Sequence, residues 1–189
     1  APQLRDAESR PRLLRILETR RHLRAPPLRR VRSLRIGRRQ LASAVSLADA
    51  DRLIRLFDAY GRQMDADNLG GVWSCLARQL RPMGGTQAAW VRAHEEAIAR
   101  LSARTLELLP ECDVHALASI VDGAAQARHS TAAALLDSVA TIAVPCVAHF
   151  PPRALTATAA AYATAGRAAP ALFDAIGRAA EPRIANFSA

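Results

Sequence analysis

A repeat about 37 residues long in the second half of the chain constrains the fold more than any other feature. Two sets of residues stand 37 positions apart: Leu136, Asp137, Val139, Pro145 and Phe150 in the first, and Phe173, Asp174, Ile176, Pro182 and Phe187 in the second. A period of this length accommodates two short helices and a turn, and neither helix can bury its apolar face alone. The sequence therefore predicts an all-α protein in which helical hairpins stack side by side into a solenoid.

The two clear repeats span residues 112–149 and 150–187 of a repeat domain assigned to residues 41–189. In each, an apolar stripe at helical spacing predicts a first helix, and a shorter apolar run predicts a second one. Asp113 is expected to cap the first helix of the earlier repeat, because its carboxylate can accept from unpaired N–H groups. Gly166 is expected to end the corresponding helix of the later repeat, where a residue with positive φ is usually needed.

Before residue 110 the repeat pattern is blurred. Either Ser46 or Asp49 is expected to start one helix, and either Asp67 or Asn68 is expected to cap the next. After the break at Pro82 to Gly85, a single long second helix is expected over residues 86–109. These elements predict one stretched repeat and a degenerate capping unit ahead of the two clear ones.

The stretch FPPRALTATAAAYATAG at residues 150–166, followed by PALFDAI at 170–176, resembles the helical repeats of organellar proteins. This group includes the octotricopeptide repeats of green algae, the heptatricopeptide repeats of apicomplexans, and the repeats of RAP-domain and FAST-kinase-like proteins. The resemblance is good over 150–187, fair over 112–149 and poor before residue 110. It implies organellar RNA binding, either in RNA maturation factors or in accessory proteins of mitochondrial ribosomes.

Charge is concentrated at the N-terminus. All 26 basic residues are arginines, and thirteen of them lie in residues 1–40 beside only three acids. Residues 41–189 carry the other thirteen arginines against fourteen acids, so the net charge of +9 comes entirely from the first 40 residues. Residues 1–40 are therefore predicted to be a separate basic arm, partly helical and otherwise extended, because like charges repel each other.

An arm of this kind is predicted to bind RNA. The planar guanidinium of arginine binds phosphate through two hydrogen bonds and stacks on bases, and it never deprotonates. An arm that neutralises several phosphates would bind RNA with an affinity that falls steeply with salt. The residues expected to contact RNA are the following: Arg12, Arg15, Arg20, Arg21, Arg24, Arg29, Arg30, Arg32, Arg35, Arg38 and Arg39.

Three other interpretations of the arm stay open. An arginine-rich, acid-poor N-terminus is also typical of a mitochondrial leader. Leucines and isoleucine among the arginines of residues 11–24 form an amphipathic pattern that suits an anionic lipid surface. The third possibility is an acidic protein partner. The absence of lysine is attributed to a GC-rich genome and not to function.

The sequence gives little support to catalysis or metal binding. No two of the three cysteines, Cys75, Cys112 and Cys146, have the spacing of a CxxC motif. Cys112 and Cys146 each have a histidine three positions later. These Cys–His pairs could supply four metal ligands, but equivalent packing positions in successive repeats explain them more simply. No glycine-rich phosphate loop and no long apolar run occur. We therefore expect that the protein is not an enzyme and that it binds no cofactor, no metal and no small-molecule substrate. We also expect no transmembrane segment.

The function predicted from these features is that of a structural, rRNA-binding component of a mitochondrial ribosome in the matrix. The arm would neutralise rRNA phosphates, and the repeats would brace RNA and neighbouring ribosomal proteins. Two alternatives remain: an organellar RNA maturation or stability factor, and a lineage-specific structural subunit of a respiratory-chain or ATP synthase complex. A plastid is the second choice of organelle. The nearly neutral repeat domain favours the ribosomal role over base-specific reading of a transcript.

Overall fold

The computed structural model describes residues 37–186, and within them the chain is all-helical with no strand. The helices are α1 Arg38–Ser46, α2 Ala50–Tyr60, α3 Ala66–Leu80, α4 Gln87–Ala93, α5 Glu95–Leu108, α6 Val114–Ala127, α7 Ser130–Ala143, α8 Pro152–Thr164 and α9 Pro170–Ala180. Short 3₁₀ turns join several of them. The prediction of an all-α protein is confirmed. None of the helices described is long and apolar enough to cross a bilayer.

The helices pack in two rows. In the first row α1 contacts α3, α3 contacts α6, and α6 contacts α8; in the second, α2 contacts α5, α5 contacts α7, and α7 contacts α9. The interface between α3 and α6 is the most extensive of all. Gly70 of α3 lies against Ala116 of α6, and Trp73 lies against Gly123, so the two helices run in the same direction. The loops and turns that join the two rows lie at the ends of the helices.

The spacing of the helix pairs is uneven. The helices α6 and α8 begin at residues 114 and 152, which are 38 apart, and their partners α7 and α9 begin at 130 and 170, which are 40 apart. The helix α3 begins at residue 66, 48 residues before α6. The 37-residue period and the solenoid therefore stay predictions.

Two helix ends in residues 112–187 agree with the prediction from the sequence. The carboxylate of Asp113 accepts a hydrogen bond from the N–H of Ala116 at 2.7 Å and so caps α6. Gly166, just after α8, has a φ of 61°. Glycine adopts this left-handed conformation without the steric cost that a Cβ brings, which explains why the helix ends there.

In the first half of the chain, one helix cap differs from the prediction, and another decides between the two residues considered. The N-cap of α3 is Asp65, whose carboxylate accepts from the N–H of Asn68 at 2.9 Å; the prediction of Asp67 or Asn68 is wrong. Several adjacent residues here have capping side chains, and a cap must lie outside the helical backbone. Of the two starts considered for α2, Asp49 is the cap and accepts from the N–H of Arg52, whereas Ser46 belongs to α1.

The prediction of a single long helix over residues 86–109 is wrong, because the helix is interrupted at His94 and forms two helices, α4 and α5. His94 has φ −115° and ψ 19°, and its backbone N–H lies within 3.2 Å of the carbonyls of both Trp90 and Val91. Its ring Nδ1 lies 2.9 Å from the same Trp90 carbonyl, and the ring stacks on the indole. A side chain that competes for a helical carbonyl interrupts the helix in this way.

The core is centred on Trp73. The α3 stripe of Leu69, Val72, Trp73, Leu76 and Leu80 is completely buried, as its spacing predicts. The indole N–H of Trp73 donates to the hydroxyl of Thr105 at 2.9 Å, and that hydroxyl donates to the carbonyl of Leu101. This buried pair connects α3 in the first row to α5 in the second.

The hydrogen bond between Trp73 and Thr105 leads to a first prediction. Thr105→Val is expected to lower the free energy of unfolding by about 1–3 kcal/mol, because the buried indole N–H loses its acceptor. The matched control is Thr141→Val, which removes an exposed hydroxyl that bonds only the Asp137 carbonyl of its own helix. Urea unfolding followed by circular dichroism measures both. Equal effects of the two substitutions would show that the indole bond contributes nothing to stability.

Candidate nucleic-acid interface

Most of the arginines predicted to bind RNA lie outside the described residues. Nine of the eleven belong to this group: Arg12, Arg15, Arg20, Arg21, Arg24, Arg29, Arg30, Arg32 and Arg35. Arg38 and Arg39 are the first two residues of α1, and Arg39 is exposed. The first helix therefore begins inside the segment assigned to the arm.

The position of Arg38 and Arg39 does not favour the helix that carries them. The first turn of a helix bears the positive end of the macrodipole, so cations there are unfavourable to the helix. Gly37 precedes the helix in an extended conformation, and its N–H donates to the Gln40 side chain at 3.3 Å. The stability of α1 thus does not explain two cationic residues at its start, and the exposed Arg39 remains a candidate for contact with an external anion.

In the helical domain, arginines and acids pair across neighbouring helices. Arg81, after α3, contacts Asp122 of α6 at 2.5 Å, and Arg100 of α5 contacts Asp58 of α2 at 2.7 Å. These groups are partly exposed, so each pair contributes at most about 1 kcal/mol. Their main consequence is for the surface charge, because the paired carboxylates are neutralised within the domain.

The same pattern continues towards the C-terminus, where Arg167 contacts Asp137 of α7 at 2.5 Å. Arg183 has a different role: its guanidinium donates to the carbonyls of Ala148, Phe150 and Ala179. It thereby holds the turn between α7 and α8 against the end of α9. Neither arginine is free to act as a separate anion site.

Two adjoining cavities follow the connections between the rows, and we call them together the turn groove. The first, of about 490 Å³, lies between the α3–α4 turn at Gly84 and the start of α7; the second, of about 530 Å³, reaches Gly166 and Arg167 after α8. The cavities share Arg128, His129 and Ser130. The turn groove therefore extends along the α3–α4, α6–α7 and α8–α9 connections.

The first cavity of the turn groove carries more positive than negative charge. Arg92 and Arg128 line it and are exposed, and neither forms an ion pair with any residue of 37–186. Glu95 is the single carboxylate among its described lining residues. Arg128 also has a left-handed backbone, with φ 49° and ψ 32°, at the end of α6. Glycine is usual at such a position because a side chain there is strained.

His129 caps α7 and borders both cavities. Its Nδ1 lies 2.7 Å from the Thr131 hydroxyl and 3.3 Å from the Thr131 backbone nitrogen, and these contacts hold the ring at the start of α7. The side chain is only 8% exposed, and Nε2 has no hydrogen-bond partner among residues 37–186; a carboxylate oxygen of Glu95 lies 3.4 Å away. A buried ring nitrogen without a hydrogen-bond partner is rare in folded proteins. Sequence reasoning missed Arg92, Arg128 and His129, because only the fold brings them together.

The cysteines have structural surroundings. Cys75, Cys112 and Cys146 are free thiols, and no group of His, Cys, Asp or Glu in the described residues could hold a metal ion. Burial raises the pKa of Cys112 to about 11, with smaller contributions from the charges of Asp113, Asp67 and Glu111. At neutral pH this thiol stays protonated, so it is a poor nucleophile and a poor metal ligand.

The thiols of Cys112 and Cys146 make the same contact. Each Sγ lies 3.5 Å from the carbonyl four residues earlier, that of Leu108 or of Ile142, at the end of a second-row helix. Cys112 and Cys146 thus have similar surroundings, whereas Cys75 is buried within α3.

Comparison of the chain with protein-family models, curated proteins and solved structures finds no match. The resemblance to organellar helical repeats therefore rests on the residues quoted above, and the chemistry of the arm and of the turn groove carries the functional argument.

Proposed function

We propose that the protein is a structural RNA-binding component of a mitochondrial ribosome, in the matrix, with the plastid as the second choice of organelle. The observation that carries the proposal is the charge distribution: thirteen arginines against three acids in residues 1–40, beside a domain close to neutral. RNA is the polyanion that best matches such an arm, because arginine binds phosphate with two parallel hydrogen bonds. Release of counterions from the RNA would drive the association.

The helical domain would act as a bracket for RNA and neighbouring ribosomal proteins, and we propose that its helix pairs are the repeats of a solenoid. Equivalent positions support this: Val139 and Ile176 are 37 apart and both buried, and Leu117 and Leu155, 38 apart on α6 and α8, are both buried. Stacked helical hairpins offer extended surfaces of this kind. The pair Leu136 and Phe173 departs from the pattern, because Phe173 is 39% exposed.

The experiment that tests the proposal is nuclease digestion of the native particle, followed by sizing with this chain tracked. If the chain is held by rRNA, it leaves the large assembly when the RNA is digested. Untreated particles should contain the chain and rRNA in equal stoichiometry.

Two other outcomes would overturn the ribosomal role. A chain that stays in a large assembly after digestion is held by protein or lipid, as expected of a respiratory-chain or ATP synthase subunit. A chain that co-purifies with other RNA and only in traces with rRNA is expected of a maturation or stability factor.

A further inference from the structure

We infer that the turn groove is a second phosphate-binding surface, in which Arg92, Arg128 and His129 bind the sugar–phosphate backbone of RNA. The inference rests on the proposed function for the source of the phosphate, since the groove itself specifies only an anion with several acceptor oxygens. It places an RNA contact on the folded domain, in addition to the arm.

The first step of the argument is the charge of the groove. Elsewhere in the domain, two arginines meet a carboxylate of a neighbouring helix: Arg81 meets Asp122 and Arg100 meets Asp58. Arg92 and Arg128 border the same cavity without such a partner among residues 37–186. With two guanidinium groups and the single carboxylate of Glu95 among its described lining residues, the cavity has a net positive charge, which favours a bound anion. A phosphate, which accepts from both guanidinium groups, is such an anion.

The second step is the ring Nε2 of His129. This nitrogen is buried at the border of both cavities and has no hydrogen-bond partner among residues 37–186, with the Glu95 carboxylate at 3.4 Å in a geometry that makes no hydrogen bond. The Glu95 side chain is 64% exposed, so it can turn out to solvent at little cost. When the ring carries a proton on Nε2, an oxygen of a bound phosphate can accept from it, and α7, 14 residues long, begins next to it at Ser130. The N-terminus of a helix favours an anion.

The third step is the backbone of Arg128. A left-handed conformation is unfavourable for any residue with a Cβ, and glycine would end α6 without that strain. Arginine at this position places its guanidinium beside the shared part of the two cavities. Strain of this kind is typical of positions where the side chain has a use other than stability.

The test uses the full chain and two probes, a 12-nucleotide oligouridylate and inorganic phosphate. We expect the double variant R92Q/R128Q to weaken oligouridylate binding and to reduce the slope of log affinity against log salt by about 1.4, the value for two single-strand phosphate contacts. The matched control R62Q/R178Q removes two exposed arginines that do not line the groove and should leave the slope nearly unchanged. In parallel, the His129 ring signals should shift on titration with either probe.

A single-site variant separates binding from folding. Arg128→Gly removes the charge and also the strained side chain, so we expect its thermal midpoint to equal or exceed that of the wild type. Its affinity for oligouridylate should nevertheless fall. A lower affinity together with unchanged or higher stability cannot be ascribed to unfolding.

The outcomes for the two proposals are distinguishable. If the wild type binds oligouridylate but R92Q/R128Q has an unchanged slope and the His129 signals do not move, the groove inference is overturned and RNA binding by the arm stands. If the full chain binds no RNA at all, the proposed function fails. In that case a saturable shift of His129 with inorganic phosphate would support the anion site for another phosphate compound, and the absence of a shift would overturn it.

Discussion

Gly123→Ala is expected to destabilise the protein by about 3 kcal/mol or more, the upper range for overpacking a core. A Cβ at this position would lie 2.5 Å from the carbonyl oxygen of Trp73 and 2.8 Å from its Cβ and Cε3. These atoms belong to the backbone and the fixed core of α3, so no flexible side chain can move aside. The helices α3 and α6 would have to separate along their whole interface, which is the largest in the domain. Urea unfolding monitored at 222 nm gives the change in free energy.

The control for Gly123→Ala is the same substitution at Gly177. This residue lies inside α9, and a Cβ there would meet no atom within 4 Å. Alanine favours a helix interior over glycine, so Gly177→Ala should stabilise the protein by about 0.5–1 kcal/mol. The opposite signs of the two results would separate the close approach of α3 and α6 from the general effect of replacing glycine in a helix. A Gly123→Ala variant as stable as the wild type would contradict that close approach.

Some helix ends and buried helix faces in residues 112–187 could be predicted because their signals are local. The cap at Asp113 and the left-handed turn at Gly166 depend only on neighbouring residues, and the apolar stripe of α6 depends on helical periodicity. These features determine where helices begin, end and face the core. In α3 the predicted stripe is likewise completely buried, but the cap is Asp65 and neither of the two residues predicted.

The contacts between helices could not be predicted in the same way. The sequence indicates only that Gly70 and Gly71 lie in a helix or turn. In the fold, Gly70 lies so close to α6 that a Cβ added to it would be 3.0 Å from the Ala116 Cα. The break at His94 likewise follows from a side chain that competes for a carbonyl, in a stretch whose periodicity is helical throughout. Periodicity does not report such competition.

The turn groove could not be predicted from the sequence either, because its residues come together only in the fold. Arg92 is at the end of α4, and Arg128 and His129 lie more than 30 residues later in the chain, between α6 and α7. Nothing in their spacing places them beside one cavity. The arm, in contrast, is recognised by its arginine-rich composition, which the sequence shows directly. The candidate RNA-binding residues were therefore predicted in the arm and not in the groove.

Replacing the six arginines of the three arm pairs with glutamine is expected to abolish stable RNA binding at physiological salt. The residues are Arg20, Arg21, Arg29, Arg30, Arg38 and Arg39. If each contacts one phosphate, the slope of log affinity against log salt falls by about 4 on single-stranded RNA, and affinity at 0.15 M salt falls by about three orders of magnitude. Filter binding of the full chain at several salt concentrations measures both quantities, and the variant should also leave the native particle at moderate salt.

The matched control replaces the same six arginines with lysine. Lysine keeps each charge but loses the planar fork, so the salt slope should stay near that of the wild type while the affinity falls moderately. Folding does not explain a loss of binding in the glutamine variant, because Arg38 and Arg39 lie at the positive end of α1 and their removal relieves an unfavourable interaction there. A glutamine variant that keeps both its affinity and its salt slope would instead place the RNA contacts elsewhere. The remaining described candidate would then be the turn groove, whose two unpaired arginines account for only about a third of the expected slope.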